Sequence, residues 1–344
     1  MEHRVRHDYY FRGGNDMRQQ FTGTDMIKID IANCFGMDKE GWAERMLWAE
    51  FHDEELEELC AEADEPLLYK KAVYALRDTQ HGLPTGHNVF LDATASGLQV
   101  MAALSGCKKT ARHVNMVNTG QREDVYVEVA NGMNEILPTD LWVYRPDVKK
   151  PLMTHYYNKT KQDTLQEPQQ VAFYAVLGDS FEGAEGVKDM VNQFWDPTAL
   201  EHTWTLPDGH VSRVLVTEMA TARIEVDELD HTKFSYRFES NCPSAIGTSL
   251  VPNIVHSVDA YIAREVVRRS FAAGFEVAHI FDAFCCHPNH MSKVMQFYRE
   301  IMAEIADSNL LADILSEISG QAVTVEKLSN DLSADILKSE YMLS

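Results

Sequence analysis

No stretch of this 344-residue chain approaches the ~20 consecutive apolar residues that a bilayer-spanning helix needs, which excludes a helical membrane protein. The first residues, MEHRVRHDYYFRGG, carry charge and no apolar core, which excludes a secretory signal there. Cysteine is scarce: six in all, two of them adjacent at Cys285 and Cys286. That usage does not make a disulfide framework and points to a reducing cytoplasm. Nor does it make a zinc module with His287 and His290, because adjacent cysteines chelate one tetrahedral ion poorly and no second Cys-x2-Cys exists. Repeats, low-complexity tracts and Gly/Ser/Pro linkers are all lacking, so one continuous unit over 1–344 is expected. Basic residues are the last shortage. Lys and Arg number 31 against 53 Asp and Glu, a net charge of -22, whereas phosphate binders usually present a basic surface.

The acid is unevenly spread. Residues 37–66 hold twelve Asp/Glu against Lys39 and Arg45, a net of -10, and 38–63 read as helices with a solvated acidic face. By contrast 145–161 holds Arg145, Lys149, Lys150, Lys159 and Lys161 against Asp147 alone. An acidic shell around a local basic groove is compatible with polynucleotide chemistry.

Hydrophobic patterning predicts a mixed α and β chain. Asn88-Val89-Phe90-Leu91-Asp92 reads as a strand ending in an acid, followed by a helix over Ser96–Ser105. Val125, Val129, Met133 and Ile136 recur at helical spacing. Trp204–Leu206 and Val211–Val216 read as strands around the turn Pro207-Asp208-Gly209. Ile254–Phe271 is a periodic helix, Glu276–Asp282 a short strand again ending in an acid, and Met291–Ile305 a helix rich in Met and aromatics.

Two strands that each deliver an aspartate are what two-metal phosphoryl transfer requires, since the two ions must sit roughly 3.5–4 Å apart on rigidly held carboxylates. Taken singly, such an aspartate is more often a turn or helix cap. Arg145, Lys149, Met153 and Tyr157 are spaced by four and form one stripe of a helix. Cations followed by an aromatic suit a nucleoside triphosphate, the charges meeting phosphates and the ring meeting sugar and base. An amphipathic surface helix is the plainer reading of that stripe alone.

These residues carry a resemblance to the single-subunit bacteriophage and mitochondrial RNA polymerases. LDATASGLQ (91–99) is similar to their motif A, RPDVKKPLMTHYYN (145–158) resembles motif B, Arg-x3-Lys-x7-Tyr-Gly, and HIFDAF (279–284) resembles motif C. Further similarity runs through GNDM (14–17), KIDIANCFGMDKEGWAERM (28–46), LPDGHV (206–211), VPNIVHSVDA (251–260) and the ending DILKSEYMLS. The resemblance implies an α+β right-hand fold: a palm over 1–110 and 203–344 with a small antiparallel sheet, and fingers over about 111–202. It implies DNA-templated RNA synthesis with two Mg2+ ions held by Asp92 and Asp282. Lys149 and Arg145 would contact the triphosphate, Lys149 also donating a proton to pyrophosphate. Tyr157 would check sugar and base, and His256 would lie near the 2′-hydroxyl.

Departures from the family pattern are specific. Phe281 and Ala283 stand where motif C usually has His and Ser, Asn158 stands for Gly, and Pro151 lies inside the motif B helix, where it should kink it. Relatives carry a thumb, a promoter-binding region and an Asp-x-x-Gly-Arg template motif upstream, of which Arg4 is the plausible remnant. The expectation is therefore the larger chain of a two-subunit podovirus RNA polymerase II, acting in an infected bacterial host, with a second protein supplying the missing parts. A family A DNA polymerase would place Glu five residues after the motif A aspartate to block a ribose hydroxyl. Gly97 occupies that position and leaves room. A non-catalytic, polymerase-derived scaffold is the rival from another class.

Overall fold

A computed structural model describes residues 21–158, 162–241 and 249–344. GNDM, Arg4, Lys159 and Lys161 lie outside the described residues. The chain is α+β, predominantly helical, with three small antiparallel sheets. Among the described residues no helix is long and apolar enough to cross a membrane.

Helix α1 (Gly23–Ala32) starts where the Thr22 side chain accepts from the Asp25 N–H and Asp25 accepts from the Thr22 N–H, a reciprocal cap. It packs on α2 (Trp42–Phe51) and α3 (Pro66–Gln80). The acidic stretch between α2 and α3 forms short 3-10 turns at Asp53–Glu55 and Glu58–Ala61, so helix is less continuous over 38–63 than its sequence suggests. Charge crowding explains this, because like charges at helical spacing oppose the α-helix.

Strand β1 (Val89–Asp92) buries Val89 and Leu91 and exposes Phe90 and Asp92. Next comes α4 (Ser96–Ser105), in which every residue from Leu98 to Ser105 is buried. A helix covered on all sides is a core helix, and α4 is the pillar of this one. Helices α5 (Lys108–His113), α6 (Val125–Ile136), α7 (Arg145–Tyr156), α8 (Glu167–Ser180) and α9 (Glu182–Asn192) follow. Close approach of α9 to the end of α4 requires Gly183, where a Cβ would stand 2.2 Å from Cβ of Cys107.

Two hairpins come next. β2 (Glu201–Thr205) and β3 (Val211–Leu215) flank the predicted turn, with Gly209 at φ 81°. β4 (Thr217–Val226) pairs with β5 (Thr232–Asn241) over ten positions. Helix α10 (Leu250–Ala272) then leads to β6 (Ala278–Ile280) and β7 (Ala283–Cys286). The chain ends in α11 (Pro288–Asp307), α12 (Leu310–Ser319) and α13 (Leu332–Ile336). α4 packs against α9, α10 and α11.

The strand expected over Glu276–Asp282 is corrected here. β6 is only three residues long, and Phe281 and Asp282 form the two-residue turn into β7. Phe281 has φ 55°, at a position where glycine is favoured. Cys285 and Cys286 are successive residues of β7, so their side chains point to opposite faces.

Candidate active site

The sheet order is β1-β7-β6, and its register places Asp92 opposite Ala283, the residue after Asp282. One inter-strand bond, Ala93 N–H to the Asp282 carbonyl at 3.3 Å, ties the two aspartates' neighbourhoods together. Both side chains open into one cavity of about 890 Å3. On the far side of β1 the chain terminus is stitched alongside. Ser344 N–H donates to the Asp92 carbonyl at 2.9 Å, and Thr94 N–H to Met342 at 3.1 Å.

Beneath these strand ends lies a buried polar plate. The Gln99 amide donates to Thr94 Oγ1, the Val114 carbonyl and the Met342 carbonyl at 3.0–3.2 Å, and accepts from the Tyr298 hydroxyl at 2.8 Å. A fully satisfied buried network fixes geometry. It holds the loop after Asp92, the terminal segment and α11 in one register.

The stripe anticipated on α7 faces the same cavity. Arg145, Lys149, Met153 and Tyr157 all line it, although Pro151 sits between them. Pro151 removes one N–H, yet the helix runs through from Arg145 to Tyr156, and no part of the stripe is turned out of the cavity. Arg145 is fixed by an ion pair with Asp124 at 2.7 Å and lies over the Tyr126 ring, 5.2 Å from its centroid. Burial alone would push the Asp124 carboxyl up, but the Arg145 guanidinium holds it below its ordinary value. Lys149 is exposed to the cavity and makes no ion pair among the described residues. The Tyr157 hydroxyl lies 3.3 Å from Nε2 of His256, with the rings edge to face. Gly97 stands in the first turn of α4, and a Cβ there would meet Val255 at an ordinary 3.6 Å.

The sequence reading missed Asp259. On α10 His256, Asp259, Ala260 and Ala263 line the cavity at helical spacing, beside the buried stripe of Val255, Val258 and Ile262, of which Val255 also reaches the cavity. That second periodicity was the available signal. Ser96 donates to Asp259 at 3.3 Å. Arg122 was missed too: it lines the cavity and its Nε donates to Ser344 Oγ at 3.0 Å. Its loop carries no periodic pattern that could have revealed it.

Electrostatically the cavity floor is short of cations. Burial first, and the Asp282 charge second, push the Asp92 carboxyl up to about 6. The same two causes push Asp259 up to about 7. Lys39, whose charge reaches Asp92 in the opposing sense, is committed to Asp38. Hard carboxylate oxygens crowded without counter-charge are a donor set that fits Mg2+. Among the described residues, one His/Cys/Asp/Glu trio has ligand atoms within 4.8 Å of one another: Glu225, Asp227 and His231. It is exposed around the β4–β5 turn, outside this cavity, and His231 and Lys233 already balance its acids.

Comparison with known proteins follows the same contour. The family model described as DNA-dependent RNA polymerase matches residues 19–170 and 230–340, roughly three quarters of the chain. The mitochondrial DNA-directed RNA polymerase of Mus musculus is 22% identical over 91% of this chain and 30% of its own length. DNA-directed RNA polymerase 1, mitochondrial, of Arabidopsis thaliana is 23% identical over 86% of the chain and 36% of its own length. The DNA-directed RNA polymerase of Pseudomonas phage phiKMV is 22% identical, covering 91% and 46%. The chain thus spans 30% to 46% of the length of these relatives.

Proposed function

Since the chain belongs to the DNA-dependent RNA polymerase family, we propose that it performs DNA-templated RNA synthesis from ribonucleoside triphosphates, as the catalytic chain of a two-chain phage polymerase. The observation that carries this reading is the convergence of Asp92 and Asp282, from strands paired in one small sheet, on the cavity that Arg145, Lys149 and Tyr157 also line. The β1-β7-β6 sheet serves as the palm of a right hand, with the helices over about 111–202 as fingers between its two parts.

Asp92 and Asp282 would hold two Mg2+ ions, which supply Lewis-acid stabilisation of the attacking and leaving oxygens. The protein's own groups do the rest. Lys149, which has no ion pair among the described residues, binds the outer phosphates and delivers a proton to the departing pyrophosphate. Arg145 is oriented by Asp124 and Tyr126, so it meets phosphate with little conformational freedom left to lose. Tyr157 and His256, joined through the hydroxyl, face the sugar, where His256 accepts from or donates to a 2′-hydroxyl. Gly97 leaves that hydroxyl room, which favours ribonucleotides over the family A DNA polymerase alternative.

Template-directed extension of a labelled RNA primer by the purified chain, with and without a co-purified partner, tests the reading. Extension with ribonucleotides and Mg2+ that disappears in Asp92→Asn supports it. Equal incorporation of deoxyribonucleotides would favour the DNA polymerase. A chain that binds its partner but extends nothing in the complex would be a scaffold.

A further inference from the structure

A polymerase must carry its product away from the site where it is made. The outward side of β1 leads from that site to a second groove. Along the chain Gly86, Asn88, Phe90 and Asp92 are exposed while His87, Val89 and Leu91 are buried, so one face of an extended segment stays open over seven residues, about 20 Å. At its far end Gly86 enters a groove of about 380 Å3 floored by α3. Here α3 presents Leu67, Lys70, Lys71 and Tyr74, all exposed and on one side of the helix. Lys70 lies 5.7 Å from the Tyr74 ring centroid. Neither lysine has an ion pair among the described residues. Gly86 belongs both to the open strip and to the groove that Lys70 and Lys71 line. The lysines and the open strip are therefore continuous.

We propose that this strip is a track for a single polynucleotide strand. The strand's end lies at Asp92, its rings rest against Phe90 and Tyr74, and its phosphates are held by Lys70 and Lys71. The inference rests on the nucleotidyl-transfer reading for its direction. An extended single strand advances roughly 6 Å per phosphate, about twice the duplex rise, so ~20 Å is on the order of three to four nucleotides and the lysines engage only strands of at least that length. Aromatic faces with flanking cations are the recognition chemistry of single strands. A polyglutamate peptide would also meet the lysines, but it has no rings to lie against the exposed faces of Phe90 and Tyr74.

Fluorescence anisotropy with the full chain tests this without requiring catalysis. A labelled single-stranded RNA decamer and dinucleotide are titrated in Mg2+ against wild type, Lys70→Glu/Lys71→Glu and the control Lys109→Glu. Removing two phosphate-binding charges from a single-strand site should lower the salt slope of log K by about 1.4, or about 25-fold in decamer affinity at 0.1 M salt. The dinucleotide should bind both proteins alike, because it is too short to reach from Asp92 to α3. An unchanged decamer affinity in the double variant overturns the proposal. So does an equal loss in Lys109→Glu, which would make the effect one of net charge, or displacement of the decamer by a polyglutamate decapeptide bound through the same lysines. Decamer binding that depends on Lys70 and Lys71 in a protein unable to extend a primer would keep the track and discard the polymerase reading. Extension without any such dependence would do the reverse.

Discussion

Replacing Asp282 by Asn should abolish RNA synthesis while leaving the metal-free fold intact or slightly more stable. In the metal-free protein burial and the Asp282 charge push Asp92 up to about 6 and Asp259 up to about 7. Relative to an unperturbed aspartate these displacements correspond to roughly 3 and 4 kcal/mol of unfavourable ionisation at neutral pH. Burial is the larger cause for both, and the cavity is open to water. The Asp282 charge is therefore assigned only about 1 kcal/mol over the two together. Removing it should raise Tm in EDTA by about 1–2 °C, given ~2 cal/mol/K of unfolding entropy per residue. A carboxyl whose folded pKa is raised holds its proton longer in the folded state than in the unfolded one, so stability falls as pH climbs through the interval between the two values. The variant's advantage should thus be complete above about pH 7 and absent below about pH 4. Mg2+ should reverse the order of Tm, because the wild type binds it with the full carboxylate set. Loss of a charge that holds the ions should slow extension about a thousandfold or more. Primer extension alongside melts in EDTA and in Mg2+ measures all of this. Extension above a tenth of wild type would remove Asp282 from the chemistry, and a Tm lowered by several degrees in EDTA would make it a structural residue.

Tyr157→Phe removes the hydroxyl that meets His256 at 3.3 Å and should relax ribose-over-deoxyribose discrimination about tenfold, the value of one hydrogen bond of ~1.4 kcal/mol. Competitive incorporation measures it, and unchanged selectivity would point to another residue. Gly97→Glu puts a carboxylate where the sugar hydroxyl is expected, and the 3.6 Å to Val255 leaves space for its Cβ. kcat/KM for ribonucleotides should fall at least about tenfold relative to deoxyribonucleotides, and a constant ratio would sink that placement. Gln99→Leu leaves the Tyr298 hydroxyl and the Val114 and Met342 carbonyls unpartnered. It should cost about 2–4 kcal/mol and lower Tm by about 3–6 °C, so a drop under about 1 °C would show that the network relaxes freely.

Regular elements were readable wherever apolar spacing was clean. The alternation Val89-Phe90-Leu91 gave away β1, the Pro207-Asp208-Gly209 turn gave away β2–β3, and the stripe of four on α7 pointed at the cavity although Pro151 interrupts it. Asp282 misled because HIFDAF contains no Gly, Pro or Asn, and its one turn-former, Asp282 itself, reads as a strand-ending acid. An aromatic at φ 55° makes the turn, so the run looked like one continuous strand. Asp259 stayed hidden because the stronger stripe of α10 drew attention to its buried side, and the weaker stripe has alanines at two of its positions. Lys70 and Lys71 looked like ordinary surface lysines. What distinguishes them is the groove they enter and the lack of an ion-pair partner among the described residues, and both are tertiary facts.

The charge of -22 acquires a meaning once it is located. Cavity side chains include six carboxylates and four Lys/Arg, a net of -2. Lys39 and Arg145 are already committed to Asp38 and Asp124, so Arg122 and Lys149 are left to face Asp92, Asp259, Asp282 and Glu123. Such a lining would repel a nucleoside triphosphate. Two divalent cations would turn it from -2 to about +2, so under the proposed function nucleotide binding depends on metal more steeply than it would in a site with spare arginines. Outside, acids of the 37–66 stretch other than Asp38 are tied to Arg77 and Lys28 or remain solvated. That shell disfavours adventitious binding of duplex to that part of the surface. Nucleic acid is then favoured where uncommitted cations meet a concave surface, at Lys149 and Arg122 in the cavity and at Lys70 and Lys71 beyond the start of β1. Under the proposed function and track, a chain so acidic holds a polyanion along the path that these uncommitted cations define, and that path begins at Asp92.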